Sequence, residues 1–243
     1  MKKPVFALLR TFLLAALVPA LSVNLVACSP DDLGGTDNDS TSVNSGVVDK
    51  NEKPSDGTIV VGEAVDLGLS VKWASCNVGA ESPEDYGDYF AWGETSPKSS
   101  YTESTSITYG LSIETLKSRG IIGSDGKLTA EYDAATANWG SDWRMPTFDE
   151  MKELLNDCTW EWTTQNGVYG YNVIGNGNSI FFPAAGYRYD TSLYSAGTDG
   201  GYWSATPDGD SSYACDLSFD SDDYDWNDSC RDYGRTVRPV SDK

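Results

Sequence analysis

Residues 208–233, DGDSSYACDLSFDSDDYDWNDSCRDY, hold the densest set of chemically capable side chains in this 243-residue chain. Asp220, Asp222, Asp223 and Asp225 place four carboxylates close together, and Asn227 and Asp228 follow. Hard oxygen donors at this density are what a calcium ion requires, although no full EF-hand spacing occurs. A calcium site would draw on Asp220, Asp222, Asn227 and Asp228. Cys215 and Cys230 could face each other across a hairpin centred near Asp222–Asp223, which leaves Cys76 and Cys158 as a second pair. Nucleophilic chemistry has less support. The chain has no His, so a Ser-His-Asp triad, a Cys-His dyad, a His general base and a His metal site are all excluded. No imidazole stands near a cysteine to make a thiolate, and no carboxylate pair singles itself out for glycoside hydrolysis. The residues point to binding, with no catalytic residue assigned and no cofactor beyond calcium.

Composition narrows the partner. The chain carries 17 Lys+Arg against 37 Asp+Glu, a formal charge of −20. Such a surface repels a phosphate backbone, so nucleic acid is not expected. Eight Trp and 14 Tyr argue for a packed domain, because acidic disordered chains are poor in aromatics. The acid is also oddly chosen. After Glu161 the chain has twelve Asp and no Glu, and its one Lys there is Lys243. Asp and Glu exchange freely on a solvated face, so this bias needs a cause. One cause is structural, since Asp suits turns and metal loops. The other is genetic: Asn codons altered at their two adenines yield Asp, Ser, Tyr, Cys and Gly, but never Glu, Lys, Gln, Met or Trp. Twenty-one of residues 208–233 are Asp, Ser, Tyr, Cys, Gly or Asn, and Ala214, Leu217, Phe219, Trp226 and Arg231 are the other five.

Several elements must position these side chains. Leu217 and Phe219 alternate with Asp216, Ser218 and Asp220, the period of a half-buried strand; Trp226 and Val237 would continue its inner side. Thr58–Val61, Val71–Ala74 and Tyr89–Trp92 read as strands. Thr147 and Glu150 form a capping box ahead of Met151, Leu154 and Leu155, which predicts a helix over 147–157. Residues 131–138 read as a shorter helix. Tyr171–Ile174 and Ser179–Phe182 flank Gly175-Asn176-Gly177-Asn178, a hairpin signal. Residues 94–130 read as a long loop with one helical turn. The class is α+β. Trp73, Trp92, Trp139, Trp143 and Trp203 are expected in the core, and Arg144 and Arg238 are expected to tie strand ends to buried carboxylates.

The N-terminus has a different character. Residues 1–27 hold Lys2, Lys3 and Arg10 and no acid, and residues 11–21 are apolar. This is a signal-peptide layout, too short for a membrane span. Leu25-Val26-Ala27-Cys28 resembles a bacterial lipobox, which implies lipidation of Cys28 at the start of the mature chain. The following Ser29-Pro30-Asp31-Asp32 resembles an export signal to the outer face of the outer membrane. Residues 28–57 are polar, with little to bury, and read as a disordered tether with roughly 30 Å of reach. The folded domain is expected over 58–243.

Within that domain a family resemblance emerges. It rests on Val65 to Ala74, Tyr86 to Glu94, Asn138-Trp139-Gly140, Trp143 to Thr147, Phe182 to Arg188, Tyr202-Trp203-Ser204 and Val237 to Val240. Together these resemble the Fibrobacter succinogenes major paralogous domain, over about residues 63–240. The resemblance implies a C-type-lectin-like fold in a secreted lipoprotein. The Asn-codon pattern resembles the variable region of proteins diversified by a retroelement, over about 189–233. That likeness implies a ligand face for a protein or glycan, built from Tyr189, Asp190, Tyr194, Asp208, Asp210, Ser212, Tyr213, Cys215, Asp216, Ser218, Asp220, Asp222, Tyr224, Asp225, Asn227, Asp228, Ser229, Cys230, Asp232 and Tyr233. Tyr213, Tyr224 and Tyr233 would be its rigid anchors. Trp226-Asn227-Asp228 also resembles an element of calcium-dependent lectins, whose companion Glu-Pro-Asn or Gln-Pro-Asp element is absent. Formylglycine-generating oxidases share a related fold, but their cysteine pair has no match here.

Overall fold

The computed structural model describes residues 62–242. The expected signal peptide, Cys28, the tether and the 58–61 strand lie outside them. The described chain is a mixed α+β domain with few helices and several small antiparallel sheets. β1 (Ala64–Val65), β2 (Val71–Ala74) and β11 (Val240–Asp242) form one sheet in the order β1-β2-β11, which joins the start of the described chain to its end. The helices are α1 (Ile113–Ser118), α2 (Ala134–Trp139) and α3 (Phe148–Asp157). A second sheet is β3 (Thr159–Gln165), β4 (Val168–Gly175) and β5 (Asn178–Pro183). β6 (Tyr187–Tyr189) and β7 (Ser192–Tyr194) make a short hairpin. β8 (Gly200–Pro207), β9 (Tyr213–Phe219) and β10 (Tyr224–Cys230) form the last sheet, with β9 in the middle.

Local signals account for the clearest elements. At α3 the Thr147 hydroxyl accepts from the Glu150 N–H at 3.2 Å, and the Glu150 carboxylate accepts from the Thr147 N–H at 2.7 Å. This is the reciprocal cap expected from the sequence, and Met151 and Leu154 fall on the buried face. α2 starts later than the sequence suggests, because Asp133 caps it by accepting from the Thr136 N–H. The β4–β5 turn is Asn176-Gly177, both at positive φ. Backbone twist of that hand matches the twist of the paired strands.

Tyr89–Trp92 is not a strand. Only Phe90 bridges, exchanging backbone bonds with Arg235, while the Trp92 N–H donates to the Arg231 carbonyl. The segment lies buried against the end of the chain, where no straight neighbour is present to extend a ladder. Trp73, Trp92 and Trp203 are buried as expected. Trp139 and Trp143 are only half-buried and meet edge to face at 5.2 Å. Arg144 pairs with Glu150 at 2.6 Å and Asp242 at 2.7 Å. Fully buried Arg238 has no carboxylate partner among the described residues; it donates to Asn77 Oδ1 and to the carbonyls of Ala74 and Phe181.

Two apolar clusters fill the interior. One gathers Trp73, Met151, Leu154, Trp160, Phe182 and Tyr202 with Leu217 and Phe219. The other gathers Trp92, Leu116, Met145, Trp203, Ala214 and Val237. β9 therefore feeds both clusters. Each buried aromatic removes ~150–250 Å² from water, on the order of 4–6 kcal/mol of gross transfer energy.

Asp133 gives the domain a pH dependence. Burial holds its carboxyl above the ordinary aspartate range, outweighing the N–H donors of Thr136 and Met145. The folded state thus binds this proton more tightly than the unfolded chain. Its contribution to stability is full below the unfolded pKa of about 3.9 and is lost as pH rises through the raised folded value. Calorimetric melting of wild type and Asp133→Asn from about pH 4 to about pH 7 tests this. Wild type should lose melting temperature relative to the variant over that range; parallel profiles would contradict the assignment.

Candidate ligand-binding face

The β9–β10 hairpin carries most of the residues expected on the face, and its register sorts them. Phe219 pairs with Tyr224, Ser218 with Asp225, Asp216 with Asn227, and Ala214 with Ser229. Side chains alternate across the pleat. Asp216, Ser218, Asp225, Asn227 and Ser229 therefore point to one side of the sheet. Tyr213, Cys215, Tyr224, Asp228 and Cys230 point to the other, where α3 packs. The twenty expected residues do not form one continuous surface.

Four of them are buried: Cys215 (8% exposed), Asp216 (0%), Ser229 (7%) and Asp232 (2%). The sequence marked the Asp216 side of β9 as solvated, but β9 is a central strand covered on both faces. Asp216 Oδ2 meets Arg235 Nη1 at 2.9 Å and accepts from the Ser218 hydroxyl at 2.7 Å. Arg235 Nη2 donates to Ser229 Oγ at 2.6 Å. Burial holds the Asp216 carboxyl above the usual range even with Arg235 drawing it down. Asp216 Oδ1 and Arg235 Nε are buried from solvent and have no partner among the described residues. Burial likewise raises the Asp232 carboxyl.

The expected anchors also divide. Tyr224 stacks on Trp160 at 5.0 Å and 15°, so it packs on the core cluster below α3. Tyr213 is half-buried on the same side. Tyr233 stacks on Tyr187 at 5.4 Å, and Tyr194 stacks on the same ring at 5.7 Å. Tyr189 meets Tyr233 edge-on at 5.2 Å. These four tyrosines form one group, with Tyr189 and Tyr194 exposed. Trp226, expected inside, is 51% exposed and meets Phe148 of α3 edge-on at 5.3 Å. It lies on the core side of an edge strand but past the margin of the core. Val237 is buried as expected.

Most aspartates of the segment hold their own backbone. Asp208 accepts from the Asp210 N–H and Asp210 from the Ser212 N–H, closing the β8–β9 turn that Ser212 ends. Asp220 Oδ1 accepts from the N–H groups of Asp222 and Asp223 and closes the β9–β10 turn. Along the open edge of β10, Asp223, Asp225 and Asn227 each accept from the next residue, at Tyr224, Trp226 and Asp228. Alternate edge N–H groups are thereby occupied by short side chains, which blunts an edge that would otherwise template strand pairing. Asp190 accepts from Ser100 Oγ at 3.1 Å, and its backbone bridges to Tyr101, which docks the β6–β7 hairpin on the 94–130 loop.

The expected calcium donors do not converge. Asp220 and Asp222 lie in the turn, whereas Asn227 and Asp228 point to opposite faces of β10, beyond the turn by roughly 3.3 Å per residue. Among the described residues no group of three or more His, Cys, Asp or Glu could hold a metal ion.

Cys76, Cys158, Cys215 and Cys230 are free thiols, so neither expected pair is formed. The hairpin centre is one residue earlier than assumed: Cys215 faces Asp228 and Cys230 faces Tyr213, which leaves the two cysteines diagonal. Cys158 abuts Gly175, and Cys76 is buried beyond the end of β2. Burial pushes the Cys215 thiol up to about 12 and the Cys158 thiol to about 11, so neither is a thiolate at neutral pH.

One pocket of about 260 Å³ collects the exposed acid. Asp199, Asp220, Asp223 and Asp225 line it, with Tyr187, Ser218 and Arg235. Of these, Ser218, Asp220 and Asp225 are among the expected face residues, whereas Asp199, Asp223, Tyr187 and Arg235 are not. Arg235 left one legible trace: after Glu161 the chain has only Arg188, Arg231, Arg235, Arg238 and Lys243 as cations, so a buried Asp there had few possible partners. Gly201 of β8 is required because a Cβ at that position would run into the Arg235 guanidinium.

Comparison with known proteins adds one finding. A family model described as a domain of unknown function, DUF8237, matches residues 156–240. That stretch includes β3 to β10 and thus the whole pocket. No curated protein and no solved structure matches the chain.

Two variants test this geometry. Asp216→Ala leaves the Arg235 charge buried and unpaired, so it should cost about 3–5 kcal/mol in urea unfolding; a loss within ~0.5 kcal/mol would remove the pair from its structural role. Asp223→Ala with Asp225→Ala bares two N–H groups on the β10 edge. The double variant should self-associate with rising concentration in sedimentation velocity while wild type does not. A monomeric double variant would show that these caps are dispensable.

Proposed function

We propose that this chain is a surface-displayed bacterial lipoprotein that presents a C-type-lectin-like binding domain to a protein or glycan partner. Its ligand face comprises the pocket between β6 and the β9–β10 turn, together with the exposed tyrosines of the β6–β7 hairpin. The observation that carries this reading is the origin of the pocket lining: every lining residue falls between Gly186 and Arg235, and that span nearly coincides with the segment marked by the Asn-codon pattern. Diversification would act on positions that tolerate change. Asp199, Asp220, Asp223 and Asp225 are such positions, whereas Asp216, Ser229 and Asp232 are buried and belong to the support. Tyr189 and Tyr194 supply rigid amphipathic area, and the acidic rim speeds encounter with partners of complementary potential.

Anchoring through Cys28 places the tethered domain at the bacterial outer membrane, facing outward. The reading assigns no catalytic group and no cofactor.

Three measurements test it together. Sequencing the locus should reveal a near-repeat of the 189–233 coding segment with Asn codons, beside a reverse-transcriptase gene. Cys28→Ser should move the protein out of the membrane fraction. For a partner captured from a library of surface proteins and glycans, Tyr194→Ala and Asp220→Ala should each weaken affinity about tenfold or more. A locus without the repeat ends the diversification reading. Unchanged affinity in both variants would place the binding surface elsewhere.

A further inference from the structure

The sheet edges are not treated alike. On β10 the side chains of Asp223, Asp225 and Asn227 occupy alternate N–H groups. The far edge of β5 is covered, because the Phe181 carbonyl accepts from Arg238 and the Pro183 carbonyl from the Tyr202 hydroxyl. β3 has neither device, and no Pro or Lys interrupts its sequence TWEWTTQ. The β3–β4 turn is Asn166-Gly167, both at positive φ, so Gln165 and Val168 close the hairpin as a hydrogen-bonded pair. The Ala184 N–H donates to the Tyr169 carbonyl from the β5 side, which fits the same phase. Alternation then turns the backbone groups of Thr159, Glu161, Thr163 and Gln165 toward β4, and those of Trp160, Trp162 and Thr164 away from the sheet. β3 is the outer strand of its sheet, and among the described residues nothing bonds to these outward groups.

The surroundings of this edge are aromatic and acidic. On its core side Trp162 stacks on Tyr169 at 6.1 Å and 10°, and Tyr169 is 52% exposed. Trp162 also meets Phe219 at 6.3 Å, the residue from which the β9–β10 turn leaves. Burial raises the Tyr171 hydroxyl above its usual range, and the nearby carboxylates of Asp220, Asp223 and Asp222 in that turn add to the effect. Tyr171 is the cross-strand partner of Trp162. On the solvent side Glu161 is exposed between Thr159 and Thr163. At the hairpin tip the Glu84 carboxylate accepts from the side chains of Gln165 and Asn166.

We infer that the open edge of β3 takes an extended basic segment of a partner protein by strand addition. Main-chain bonds to Trp160, Trp162 and Thr164 supply the affinity. A Lys or Arg opposite Glu161 makes a cross-strand ion pair. A cation on the other face lies against the Trp162–Tyr169 stack, on the side of the turn carboxylates. A second copy of the chain fits poorly, because each copy carries −20. This surface goes beyond the pocket face and does not depend on it: the pocket lining includes no residue of β3.

The test uses the full chain in a non-ionic detergent and a fluorescent peptide of about eight residues that alternates Lys and Val. One control peptide carries Glu for Lys. Another has N-methyl groups along its central residues, which block both backbone edges without changing the charge. Fluorescence anisotropy should show the Lys-Val peptide binding in the micromolar to millimolar range, several-fold weaker at about 300 mM than at about 50 mM salt. The Glu peptide should not bind, and N-methylation should cost about tenfold or more. Thr164→Pro removes one outward N–H and spares the β4 ladder. It should keep a melting temperature within about 4 °C of wild type and lose binding about tenfold or more. Glu161→Lys should also weaken binding; if Thr164→Pro does not fold, that variant and the N-methylated peptide decide. Tyr194→Ala should leave the peptide affinity unchanged. Any of four results would overturn the inference: no binding of the Lys-Val peptide up to about 5 mM; equal affinity for either control peptide; unchanged affinity in folded Thr164→Pro; or a wild-type dimer in sedimentation velocity that Thr164→Pro abolishes, which would give the edge to a second copy. Binding lost in Tyr194→Ala but kept in Thr164→Pro would end the strand-addition inference and leave the tyrosine face standing.

Discussion

The guanidinium of Arg231 holds together parts of the chain that no sheet joins. It is fully buried, and among the described residues it has no carboxylate partner. Nε donates to the Tyr213 carbonyl at 2.7 Å, Nη1 to those of Thr108 and Leu111, and Nη2 to those of Asp208 and Asp210. The group also lies over the Trp92 ring at 5.0 Å. One side chain thus fastens the 94–130 loop, the β8–β9 turn and a core tryptophan. Burial lowers its pKa to about 10, so it stays charged at neutral pH. The need for it follows from the architecture. Small sheets and long loops leave many inward carbonyls outside any ladder, and a buried carbonyl without a donor costs free energy. Arg238 meets the same need beside β2 and β5.

The acidity of the chain looks different once its hydrogen bonds are known. A charge of −20 suggests a diffuse repulsive field. In the last third, however, Asp208, Asp210, Asp220, Asp223 and Asp225 each accept from a nearby backbone N–H. Their shared property is a short side chain that reaches the adjacent backbone, which Glu does not do as well. On the proposed reading, a segment derived from Asn would begin with residues that make the same local bonds.

The pocket depends on a support that sequence patterning does not reveal. Two glycines of β8 admit the Phe219 ring and the Arg235 guanidinium. Asp216 holds that guanidinium from below and Ser229 from the side. Asp220 and Asp223 of the rim lie in the β9–β10 turn and Asp225 on the edge strand β10, whereas Asp216 lies inside the central strand β9. A central ion pair of this kind contributes little net stability when complete, yet its loss leaves an unpaired charge in the interior.

Local chemistry was legible in the sequence. The Thr147–Glu150 box, the Asn176-Gly177 turn, the Val71–Ala74 strand and the Leu217–Phe219 alternation each depend on residues close in the chain, and each stands in the structure where the pattern indicated. The α+β class follows from them. Tertiary structure decided the rest. It paired Asp216 with Arg235, moved Trp226 to the surface, turned Tyr224 toward Trp160 and set Cys215 opposite Asp228. The physical reason is common to all four. Alternation along a strand states which residues share a side, but not which side meets solvent or what lies against it. A strand covered on both faces breaks the equation of polar with exposed, and a register displaced by one residue changes every cross-strand partner.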